Sequence, residues 1–84
     1  MTVTEDQLVG QLEAMGLGEE ATALAVGVAV LTRLRGRWRL SEAREALGYP
    51  RALSEALEAL QGLDVVGVRY SEGREPFLKW VGDL

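Results

Sequence analysis

Apolar positions recur at helical spacing from the start of the chain. Leu8, Leu12 and Met15 lie three or four residues apart between Thr4 and Gly16, the spacing of one buried stripe on a helix. Thr4 and Gln7 have capping-box separation, Glu5 and Asp6 put acids where a helix dipole favours them, and Val3 with Leu8 makes a hydrophobic staple. Gly16 ends this helix. A second helix is predicted from about Glu19 to Leu34. At 100° per residue, Ala21, Leu24, Ala25, Val28 and Leu31 fall on one side and Ala23, Val26, Val30 and Leu34 on the other. Apolar nearly all round, it requires cover on both sides. The first helix, the rest of the domain or a second subunit can supply that cover. The β-branched valines leave a strand as the minor alternative.

From Arg35 to Leu40 the pattern alternates, which predicts a short strand with Trp38 and Leu40 inward and Arg37 and Arg39 outward. Ser41 reads as the N-cap of a third helix, Glu42 to Leu47, closed by Gly48. Pro50 suits the first turn of a fourth, with Leu53, Leu57 and Leu60 as its buried stripe and Gly62 as its stop. Val66, Val68 and Tyr70 then alternate, Ser71 to Arg74 supply turn residues, and Phe77 to Val81 read as a returning strand. A three-residue loop, Glu72 to Arg74, sets Val68 opposite Leu78 and Val66 opposite Trp80. A two-residue loop sets Lys79 opposite Val66, so the longer one keeps apolar pairs on one face.

The order helix, helix, short strand, helix, helix, hairpin is that of a winged helix-turn-helix: mainly α, in the α+β class. Residues 1–84 form one such domain, with 1–18 as N-terminal helix and turn and 19–84 as the core. Leu12-Glu13-Ala14-Met15-Gly16-Leu17 followed by Glu19-Glu20-Ala21 resembles the opening of the DNA-binding domain of TrmB-type prokaryotic transcriptional regulators. Leu40-Ser41-Glu42 and Tyr49-Pro50-Arg51 resemble that family's entries into its two helix-turn-helix helices, Leu57-Glu58-Ala59-Leu60 resembles the end of its recognition helix and, with one extra residue between Arg and Pro, Gly73-Arg74-Glu75-Pro76 resembles its wing. The resemblance implies that the fourth helix lies in the DNA major groove and presents Arg51, Ser54, Glu55 and Glu58. It also implies that Ser71 to Pro76 form a wing reaching the backbone or minor groove.

Charge complicates that expectation. The chain carries 13 acids against nine bases, a net charge of −4, and a DNA-binding domain is ordinarily more basic. Residues 1–32 hold five acids and no base, while residues 33–84 hold all nine bases. Two glutamates on the groove-facing side of the fourth helix oppose phosphate attraction. The bases favour DNA: Arg33, Arg35, Arg37 and Arg39, with Arg44, Arg51, Arg69, Arg74 and Lys79, are enough to build a phosphate-binding face. Against that, exposed charges of this kind read as solvated strand and helix-end charges, partly paired with nearby acids.

Catalytic equipment is missing. There is no histidine and no cysteine, which removes the commonest general base, the commonest metal ligand and any disulfide. Ser41, Ser54 and Ser71 have no activating base, the acid pairs Glu5-Asp6 and Glu19-Glu20 are explained by helix starts, and Trp38 and Trp80 read as core. No enzyme activity, metal, cofactor or small-molecule substrate is expected. Asn is absent and Arg outnumbers Lys eight to one, a composition shared by heat-adapted proteins and GC-rich genomes. An acidic N-terminus and apolar runs far short of the roughly 20 residues that span a bilayer predict a cytoplasmic protein without membrane contact.

The expected function is binding of double-stranded DNA by a small homodimeric transcriptional regulator. Arg37, Arg39, Arg69, Arg74 and Lys79 contact phosphates, Arg51 and Ser54 read bases, and Val26, Val30 and Leu34 form the dimer contact. The alternative is a winged helix used for protein–protein interaction or assembly without DNA.

Overall fold

The computed structural model describes residues 4–70 and 73–82. Four helices and one antiparallel sheet follow in the order α1 (Glu5–Ala14), α2 (Glu19–Arg35), β1 (Arg37–Arg39), α3 (Leu40–Ala46), α4 (Leu53–Gly62), β2 (Val66–Arg69) and β3 (Phe77–Trp80). The capping box holds α1 at its start: the Gln7 N–H donates to Thr4 Oγ1 at 3.2 Å, and the Thr4 N–H to Gln7 Oε1 at 3.1 Å. The staple partner Val3 lies outside the described residues.

Helix α2 is the centre of the fold. It packs against α1, α4 and the inner face of the sheet, which is how a helix apolar nearly all round finds cover within one chain. Ala21, Ala25, Val28 and Ala29 are buried, and Leu24, Val26 and Leu31 pack half-buried against the same core. The leucine seam of α4 turns inward as expected, with Leu53, Leu57 and Leu60 all buried. At about 25 cal/mol per Å² of apolar surface, each fully buried leucine contributes on the order of 2 kcal/mol relative to exposure.

The sheet order is β1-β3-β2. Val66 pairs with Trp80 and Val68 with Leu78, the register that the longer hairpin loop requires; Ser71 and Glu72 of that loop lie outside the described residues. Leu78, in the central strand, also faces Trp38 across β1. These residues share the inner face, because directly opposed residues of an antiparallel pair point the same way. Trp38 is buried and Trp80 half-buried against the core. One polar link crosses this interior. The Trp38 indole Nε1 donates to Thr32 Oγ1 at 2.9 Å, and that hydroxyl donates to the Val28 carbonyl at 2.6 Å.

Several boundaries differ from the sequence expectation. Arg35 belongs to α2, and Gly36 makes the turn with φ at +80°, a conformation that suits glycine. Leu40 opens α3, so Ser41 is not its N-cap. The Leu40 N–H is held by the Pro76 carbonyl at 3.0 Å, the Arg39 N–H is taken by the Glu42 carboxylate at 3.2 Å, and the Ser41 hydroxyl donates to Glu75 Oε1 at 2.9 Å. Helix α4 starts at Leu53 because the chain first passes Gly48 and Tyr49, both at positive φ. Met15 is exposed: α1 stops at Ala14, and the side chain lies over Gly62 at the end of α4. Val81 leaves the strand when its N–H turns to the Val65 carbonyl.

Candidate nucleic-acid interface

Strand parity decides which cations meet. If Trp38, Leu78 and Val68 face inward, their neighbours on each strand face outward. Across the three strands, Arg37 opposes Lys79, which opposes Gly67; Arg39 opposes Phe77, which opposes Arg69. The outer face therefore carries four cations and one aromatic ring. Arg37, Arg39, Arg69 and Lys79 are exposed, and Phe77 is half-buried among them. No strand contributes an acid to this face, and α2 and α4 pack on the sheet's other side, where Leu78, Val66 and Trp38 are buried, while α3, which continues directly from β1, brings Glu42 to the edge beside Arg39.

Local contacts shape the surface. The Arg37 guanidinium lies 5.7 Å from the Phe77 ring centroid, a cation–π distance. Arg69 folds back along its strand over Gly67, where an added Cβ would stand only 2.7 Å from Arg69 Nη1. Glycine at 67 thus leaves room for the guanidinium to lie flat. Beside β1 and the hairpin loop, Arg37, Arg39, Arg74, Phe77, Glu42 and Glu75 line an open groove of about 650 Å³.

Two carboxylates partly neutralise one edge. Arg39 Nε lies 3.0 Å from Glu42 Oε1 and 3.7 Å from Glu75 Oε1. Arg35 lies 3.7 Å from the other Glu42 oxygen. The Arg39 side-chain hydrogen bond, followed by its backbone N–H, holds the Glu42 carboxyl below its ordinary value, and the same pairing raises Arg39. Arg37, Arg69, Arg74 and Lys79 form no ion pair with another described residue.

The remaining expected site residues lie elsewhere. Arg51 and Ser54 are exposed, at the turn before α4 and in its first turn, together with Glu55 and Glu58. They belong to the helical layer, on the other side of the sheet from the strand cations, so the structure does not bring them into the same patch. Val26 and Val30 are half-buried, Val26 beside Val9 and Leu17 of the α1 segment and Val30 beside Leu8 and Trp80. Leu34 is 78% exposed.

Sequence reasoning missed Phe77, Gly67, Glu42 and Glu75 as parts of the surface. The parity of β3 carried the signal for Phe77: if Leu78 and Trp80 are inward, Phe77 shares the side of Lys79. The carboxylates carried none, because Glu75 reaches Arg39 only through strand pairing. Among the described residues, no group of His, Cys, Asp or Glu could hold a metal ion, and no helix is long and apolar enough to cross a membrane. No family model matches the chain, and no curated protein or solved structure matches it.

Proposed function

We propose that this chain is a winged-helix protein that binds nucleic acid by its phosphate backbone, through the outer face of the sheet and the β2–β3 loop. The observation that carries this reading is the convergence of Arg37, Arg39, Arg69 and Lys79, from three strands, on one face to which no strand adds an acid and which lies opposite the side covered by α2 and α4. Arg74 extends the charge toward the loop. The sheet order β1-β3-β2 and the consecutive helices α3 and α4, linked through residues 47–52, fit a winged helix-turn-helix. A role in transcription further needs sequence reading, for which Arg51 and Ser54 are the available side chains.

The test is the salt dependence of binding to labelled duplex DNA. Neutralising about four phosphates predicts a loss of roughly 150-fold in affinity between about 50 and 200 mM salt. The double variant Arg37→Glu/Lys79→Glu abolishes binding at the lower salt. A flat salt response, or an unaffected double variant, sinks the reading.

A second reading is favoured by Glu55 and Glu58 on the exposed side of α4 and by an N-terminal part with acids and no base: a protein-binding module. Absence of any DNA retention at about 50 mM salt moves the assignment there. In either reading, a homodimer through α2 is centred on Leu34, and light scattering of Leu34→Glu against the parent chain tests it.

A further inference from the structure

We infer that the ligand of the outer sheet face is single-stranded nucleic acid, with a base stacked on Phe77 and phosphates along the flanking cations. This rests on the phosphate-binding role proposed above and narrows it to one class of strand. Three features point the same way.

The first is shape. The major groove, about 12 Å wide, admits one helix or a two-stranded ribbon, whereas here a third strand adds about 4.8 Å and both edge strands carry arginines. Helix α4, which has the right width, presents Glu55 and Glu58. A flexible single strand can instead lie across the flat surface.

The second is the position of the aromatic ring. Phe77 occupies the central strand, with Arg39 and Arg69 directly beside it and Lys79 two residues along. An aromatic side chain ringed by cations is the arrangement that binds single strands without sequence preference, since every base has a face to stack. The Arg37 guanidinium already occupies a planar-group position near this ring. A base can take that position while Arg37 swings to a phosphate.

The third is Gly67. It removes the side chain that would otherwise stand beside Lys79 on the β2 side of this face, opposite Arg37, and Arg69 folds into the space. The surface is thereby kept low on the β2 side, where a strand must pass.

Fluorescence anisotropy at about 50 mM salt compares a labelled oligothymidylate of about 16 nucleotides with a duplex of equal length. The single strand is expected to bind at least tenfold more tightly. Phe77→Leu keeps apolar bulk but not the ring, and is expected to weaken single-strand binding about fivefold or more, with the salt slope unchanged and duplex binding unaffected. Phe77→Trp is expected to retain the preference. Thermal melts of both variants verify that they fold. Equal or tighter binding of the duplex overturns this inference and leaves phosphate binding standing, as does a single-strand preference that survives Phe77→Leu. Failure of both oligonucleotides to bind overturns the broader reading as well.

Discussion

Replacing Thr32 with valine tests the polar link that ties the cationic strand to the central helix. Thr32 is fully buried and Trp38 is 4% exposed, so neither group can turn to water. Valine matches threonine in shape, leaving packing nearly unchanged. The Trp38 N–H then loses its acceptor at 2.9 Å and stays buried without a partner, which costs about 1–3 kcal/mol. For a domain of this size that corresponds to a fall in melting temperature of roughly 4–8 °C per kcal/mol. Thr32→Ser keeps the hydroxyl and loses a methyl, costing about 1 kcal/mol through lost burial and a small cavity. In Trp38→Phe the indole donor is gone, so adding Thr32→Val to that background removes no satisfied partner. The double variant is therefore expected to be less destabilised than the sum of the singles by about 1–2 kcal/mol. Urea unfolding followed by far-ultraviolet circular dichroism, independent of the tryptophan signal, measures all four proteins. A Thr32→Val cost below about 0.5 kcal/mol, or additive single effects, refutes the assignment of this hydrogen bond as the anchor of β1.

Three further variants, with four expected outcomes, follow from individual contacts. Leu60→Ala removes a leucine with no exposed surface in the α4 seam; equilibrium unfolding should register a loss of about 2–5 kcal/mol, a large share of the stability of so small a domain. Tyr49 is exposed and held at φ +55°, so Tyr49→Gly should raise stability by about 0.5–1 kcal/mol, the left-handed strain relieved less the added chain entropy, and a lower melting temperature would contradict this. Glu42→Gln keeps an oxygen for the Arg39 N–H and removes the charge that competes with phosphate for Arg39, so duplex binding at low salt should tighten several-fold. Because the folded Glu42 carboxyl lies below its unfolded value, its contribution to stability is complete above the ordinary carboxylate range and fades as pH falls through the lowered one; acid titration of Glu42→Gln should show a shallower decline in that window.

The sequence by itself determined the elements and their inward faces. Helical spacing in α1 and α4, alternation in the three strands and the capping box at Thr4 are local properties, and so they were legible without a fold. The hairpin register was legible as well, since only one loop length keeps Val66, Val68, Leu78 and Trp80 together. Element ends were harder to read, because backbone groups far apart in the chain settle them: α3 begins at Leu40 where Pro76, just before β3, supplies its carbonyl, and the Ser41 hydroxyl goes to Glu75 instead of capping.

Tertiary structure alone decided what the charges do. A list of arginines does not say that Arg37 and Arg39 share a face with Arg69 and Lys79, because the pairing of β1 with β3 is made across about 40 residues of chain. Nor does it say that Arg51 and Ser54 belong to another surface. Parity places each side chain on one of two faces, but only strand order brings faces from distant segments together. For that reason the phosphate-binding candidates were visible one at a time in the sequence, while the surface they form, with Phe77 among them and Glu42 and Glu75 at its edge, exists only in the folded chain.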